Sequence, residues 1–100
     1  MFKCKKFGNI IVSDKGFELH LGTRGRDSLI YREGKKQVAI NSESSSKDKG
    51  IVIAIWANSI KSWEAPYEDE PIDRNQSAQI LKNVEEALKF AKIEVQIIRP

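Results

Sequence analysis

A lone cysteine, a lone histidine and the lack of any long apolar run set the first limits on this chain of 100 residues. Cys4 has no second cysteine to pair with, which excludes an internal disulfide and a multi-cysteine zinc site and suits a reducing compartment. No stretch approaches the ~18 apolar residues of a membrane span. The opening MFKCKKFGN lacks the apolar h-region of a signal peptide, so the expected location is the cytoplasm. His20 has no sequence neighbour to orient it as a general base, and a histidine exposed on a strand is the plainer reading. Cys4 lies between Lys3 and Lys5, which would activate it if exposed, but strand alternation turns it to the apolar face. Glu68-Asp69-Glu70 lacks the spaced ligands and turn glycine of a calcium loop. The GTRGRD segment at 22–27 neither opens a helix nor carries the Lys-Ser/Thr of a P-loop. The chain is expected to be no enzyme and to hold no cofactor and no metal.

Charge, by contrast, is plentiful and uneven. The formal net charge is +3. Residues 1–62 hold twelve Lys/Arg against six Asp/Glu, and residues 63–100 hold five against eight. Five of those acids, Glu64, Glu68, Asp69, Glu70 and Asp73, fall in a ten-residue window without a basic residue. A domain patterned this way is electrically two-sided wherever that window stays together on the surface.

With no linker-like gap, residues 1–100 read as one domain of ordinary size. Its first half reads as short strands and turns. Phe2 and Cys4 alternate with lysines, Ile10–Val12 follow, and Asp14-Lys15-Gly16 is a turn. Phe17, Leu19 and Leu21 alternate with Glu18 and His20, the pattern of a half-buried strand. Ser28–Arg32 and Gln37–Asn41 form a hairpin around Glu33-Gly34-Lys35. The polar stretch Ser42–Gly50 reads as disorder-prone, and the apolar run Ile51–Ala57 as a central strand covered on both faces.

The C-terminal part carries the helix. Ile80, Leu81, Val84, Ala87, Leu88 and Ala91 recur at amphipathic spacing, with Asn83, Glu85, Glu86, Lys89 and Lys92 on the other faces. Asp73 is the N-cap, Gln76 completes a capping box, and Pro71 prevents extension backwards. Ile93, Val95, Ile97 and Ile98 make a last strand. The expected fold class is α+β: a mainly antiparallel sheet of about six to seven strands, with one helix at about 73–91 packed on a face and a final strand after it. A small, partly closed barrel plugged by the helix is the alternative; the open sheet is preferred.

Two surfaces are candidates for binding. The first is the stretch holding Trp63, Glu64, Tyr67, Glu68, Asp69, Glu70 and Asp73, where aromatics stand beside acids in a proline-bounded loop, as in protein-binding hot spots. The aromatics could equally anchor the connection on the core, and Glu70 and Asp73 also suit the helix N-terminus. The loop between Pro66 and Pro71 is expected to project from the sheet. The second surface is basic. Arg24, Arg26, Arg32, Lys35 and Lys36, with Lys3, Lys5 and Lys6, could face nucleic acid, with Phe7 or Tyr31 for stacking. No RNP-like or GXXG motif accompanies them, and the acidic window would repel phosphates.

The spacing Trp63-x-x-Pro66, Glu70-Pro71, Ile80-Leu81-x-Asn83-Val84-x-x-Ala87-Leu88-x-Phe90 and Ile93-x-Val95 resembles a family of small bacterial immunity proteins encoded beside polymorphic, often contact-dependent, toxins. Thr23-Arg24-Gly25, Tyr31-Arg32-Glu33-Gly34-Lys35-Lys36 and Glu43 resemble the family's earlier strand–hairpin segment, so the likeness covers roughly residues 22–98. It implies an α+β domain that binds and neutralises the C-terminal domain of one cognate toxin in the cytoplasm, without catalysis, by stoichiometric occlusion. A small nucleic-acid-binding module using the Lys/Arg-rich strands is the alternative. Inhibitors of basic nuclease toxins are commonly acidic, whereas this chain is basic. Either the acidic window alone meets a basic cleft, or the toxin is not a nuclease.

Overall fold

A computed structural model describes residues 2–5, 10–21, 28–47 and 50–99, the side chains of residues 4, 5, 28 and 44–47 excepted. The expected inward side chain of Cys4 and the loop arginines Arg24 and Arg26 lie outside what is described. Seven strands form one sheet in sequence order: β1 Phe2–Lys5, β2 Ile10–Ser13, β3 Phe17–Leu21, β4 Ser28–Glu33, β5 Lys36–Lys47, β6 Gly50–Trp56 and β7 Glu94–Ile98. Neighbours up to β6 are antiparallel, and β7 joins β6 in parallel after a crossover through helix α1, Arg74–Phe90. The fold is thus the expected α+β arrangement, mostly sheet. β1 and β7 do not pair with each other, so the sheet curls without closing into the alternative barrel.

The curl comes from β5. Its 12 residues are too many for one partner, so Lys36–Asn41 pairs with β4 and Ser42–Lys47 with β6. This corrects the expectation of disorder at Ser42–Gly50, of which residues 48–49 lie outside the description. Backbone pairing asks nothing of side-chain polarity, and β6 supplies the apolar groups. Ser42 sits opposite Ile55 and is itself buried. At the β4–β5 hairpin, Glu33 pairs with Lys36 across Gly34-Lys35, and Gly34 takes the positive φ of 65° that such a tight turn requires.

Strand alternation sends Ile11, Phe17, Leu19, Leu29, Tyr31, Val38, Ile40, Ile53 and Ile55 to the concave face, where they meet α1. The helix presents Ile80, Leu81, Val84, Ala87 and Leu88, the stripe expected from the spacing. Val84, Ala87 and Leu88 are fully covered. Burial of each large member contributes roughly 1.5–3 kcal/mol, so the helix closes the core. Asp73 caps it with the expected reciprocal box: its Oδ1 accepts from Gln76 N at 2.7 Å, and its own N–H donates to Gln76 Oε1 at 3.2 Å. An aromatic row runs across the same face, Phe90–Phe2–Phe17–Tyr31–Trp63, with successive ring centroids 5.4 to 6.5 Å apart. No helix among the described residues is long and apolar enough to cross a membrane.

One helix residue departs from the sequence pattern. Asn83, expected on a polar face, is buried. It lies three residues after Ile80 and four before Ala87, within the stripe by position. Its amide is satisfied there by the side chains of Tyr31 and Gln79.

Candidate functional site

The connection between β6 and α1 is built to cover an edge. Because β6 pairs only with the second half of β5, the outer edge of Lys36–Asn41 would be left bare. The chain after β6 fills it. A 3-10 turn at Ala57–Ser59 brings the Ser59 hydroxyl to accept from Asn41 N at 3.0 Å. Further on, Glu64 N donates to the Gln37 carbonyl at 2.8 Å, and Gln37 Nε2 donates to Glu64 Oε1 at 2.7 Å. Trp63 is thereby pressed into the core, 4% exposed and stacked over Tyr31. Trp63 thus belongs to the core cluster.

From Glu64 the chain makes two successive tight turns, Tyr67 N donating to Glu64 O at 3.0 Å and Glu70 N to Tyr67 O at 2.9 Å. The Ala65–Pro66 peptide is cis. Ser62 bridges Pro71, and Ile72 N donates to Lys61 O at 2.9 Å, which closes the base of the loop. The loop therefore folds back on the sheet rather than projecting from it. Tyr67 is half-buried against the core.

Lys36 ties the loop down. It shares the concave face with Val38, so its ammonium reaches Glu70 Oε1 at 2.6 Å while lying 5.9 Å from the Trp63 ring centroid and 5.6 Å from that of Tyr67. One residue assigned from sequence to a separate basic face thus stands inside the acidic cluster. Three of the five acids in the window are engaged internally: Glu64 with Gln37, Glu70 with Lys36 and Asp73 with the helix amide. Glu68 and Asp69 are exposed at the loop tip and make no side-chain hydrogen bond or ion pair among the described residues. Two other residues of the expected basic face are described. Arg32 is on the convex face opposite Glu18 and Gln37, and Lys35 is exposed in the hairpin turn.

Under the loop lies a polar network that sequence reading missed. Asn83 Nδ2 donates to the Tyr31 hydroxyl at 2.9 Å, the hydroxyl donates to Glu33 Oε1 at 2.7 Å, and Gln79 Nε2 donates to Asn83 Oδ1 at 2.9 Å. Burial, reinforced by the hydrogen bond to Glu33, pushes the Tyr31 phenol well above its ordinary range and keeps it protonated. Tyr31 and Asn83 are 52 residues apart, and only the helix phase could have hinted at the pair. On the convex face His20 Nε2 lies 3.0 Å from Glu18 Oε1, a partner that two-residue spacing on a strand places on the same face. No group of three or more His, Cys, Asp or Glu that could hold a metal occurs among the described residues.

Set beside known proteins, the chain matches the family described as Immunity protein 74 over residues 22–98. No curated protein and no solved structure matches it. The matched span begins just before β4 and includes the hairpin, the stapled loop, α1 and β7.

Proposed function

This chain belongs to the Immunity protein 74 family, and from that premise we propose that it binds the C-terminal domain of one cognate toxin in the cytoplasm and neutralises it by stoichiometric occlusion, without catalysis. The toxin belongs to a polymorphic, contact-dependent system in this reading. Family membership carries the proposal, and the loop at Glu64–Asp73 is the part of the surface best suited to the task. It is ordered before binding by the Gln37 and Lys36 contacts, so little entropy is lost on docking. Its tip offers Glu68 and Asp69, which are exposed and make no hydrogen bond or ion pair among the described residues. Occlusion needs about 800 Å² from each partner, a modest part of the 6813 Å² this chain exposes.

The test is growth rescue. Cells expressing the toxin domain encoded beside this gene should survive when the chain is co-produced, and the purified pair should form a one-to-one complex. Failure to rescue or to bind that toxin would end the reading.

A further inference from the structure

A second feature of the same connection is positively charged. At the carboxyl ends of β6 and β7, beside the base of the acidic loop, a cleft of about 570 Å³ opens between the post-β6 segment and the start of α1. Its floor includes Ile60, Ile72 and Leu81, and its walls carry Lys61, Arg74 and Arg99. All three cations are exposed, and none is ion-paired among the described residues. The one carboxylate on the wall, Asp73, is committed to Gln76 N. The backbone around the cleft is fixed: Ile60 N donates to Ala57 O at 3.3 Å, and Ile72 N to Lys61 O at 2.9 Å.

We propose that this cleft receives an acidic segment of the toxin, carboxylates meeting Lys61, Arg74 and Arg99 while a neighbouring apolar side chain covers the Ile60–Ile72–Leu81 floor. This rests on the immunity reading above and names the chemistry of the partner. The volume suits several side chains rather than a single ion. Guanidinium groups hold carboxylates in bidentate pairs that favour a planar acidic partner. Nucleic acid is the weaker occupant, because no aromatic side chain lines the cleft for base stacking.

The experiment compares the wild-type chain with Arg74→Glu/Arg99→Glu and Arg74→Lys/Arg99→Lys, measuring affinity for the toxin domain encoded beside the gene. The Glu pair should bind about tenfold more weakly or worse, and the Lys pair should keep most of the affinity. Thermal melts should hardly move, because both arginines are exposed and an acid in place of Arg74 suits the first helical turn. If wild type binds and the Glu pair binds equally well, the cleft proposal is overturned and the immunity reading stands. If wild type itself does not bind, both fall. A single-stranded oligonucleotide that binds wild type but not the Glu pair, with toxin affinity unchanged, would assign the cleft to nucleic acid and overturn the proposal.

Discussion

Replacing Tyr31 with Phe removes one oxygen from the middle of the core, and its cost follows from the neighbours. The hydroxyl donates to Glu33 and accepts from Asn83. Glu33 is exposed and regains water, so that bond counts only at the usual net value of about 0.5–1.5 kcal/mol. Asn83 is buried, and stranding its Nδ2 costs about 1–3 kcal/mol. Tyr31→Phe should therefore lose about 2–4 kcal/mol near neutral pH. The deficit should then shrink in alkali. The folded-state pKa of Tyr31 is raised above its ordinary value of 10.0, so the folded chain keeps a proton that the unfolded chain releases. That stabilisation is complete below the ordinary value and is lost as pH climbs toward the folded-state value, at about 1.4 kcal/mol per pH unit. Phe has no proton to keep, and lysine titration is common to both variants. Urea unfolding followed by Trp fluorescence between about pH 7 and pH 11 would show the two stabilities converging above about pH 10. A constant gap across that range, or a cost below about 0.5 kcal/mol near neutrality, would refute the assignment.

Leu88→Ala should cost about 2–5 kcal/mol because Leu88 is fully covered, while the exposed Lys89→Ala should be nearly silent; equal shifts in denaturant midpoint would mean the helix faces the sheet differently. Asp73→Ala removes the acceptor for Gln76 N and should cost about 1 kcal/mol in a thermal melt, with Asp73→Asn recovering most of it. Lys36→Ala should lower stability by only about 0.5–1.5 kcal/mol, since the ion pair with Glu70 is half in solvent, yet amide exchange at Tyr67 and Glu70 should speed up measurably as the loop loosens. Glu68→Lys/Asp69→Lys should slow toxin association and change its salt dependence without shifting the melting temperature; an unchanged association rate would move the contact away from the loop tip.

Periodicity made much of this fold readable. The helix, its cap, the Gly34 hairpin and the final strand each follow from spacing of a few residues, and local spacing is written in sequence. What escaped it were contacts between distant segments. Ser42–Lys47 looks unstructured by composition, but its pairing is decided by β6, whose apolar residues need an edge to lie against. Asn83 looks solvent-facing by polarity, but its position on the helix places it under Tyr31. By charge alone Lys36 belongs with the basic face, because charge carries no direction, whereas strand alternation from Val38 turns it inward to Glu70. The acidic window was visible as composition; that three of its five acids are used inside the fold was not.

This internal use changes what the acidic window can offer a partner. Were all five acids free, the segment from Glu64 to Asp73 would present a strongly negative surface suited to a basic cleft. With Glu64, Glu70 and Asp73 engaged, Glu68 and Asp69 are the members of the window that have no side-chain partner among the described residues. At the base of the same loop, where Ser62 meets Pro71 and Ile72 bonds to Lys61, the side chains of Lys61, Arg74 and Arg99 stand unpaired among the described residues. A uniformly basic toxin surface wide enough to cover both would gain at the tip and be repelled at the base. The partner that fits this connection carries both signs, positive toward Glu68 and Asp69 and negative toward the cleft. In that reading a net charge of +3 poses no difficulty for a toxin inhibitor, because complementarity is set locally by the charges at the interface and not by the net charge.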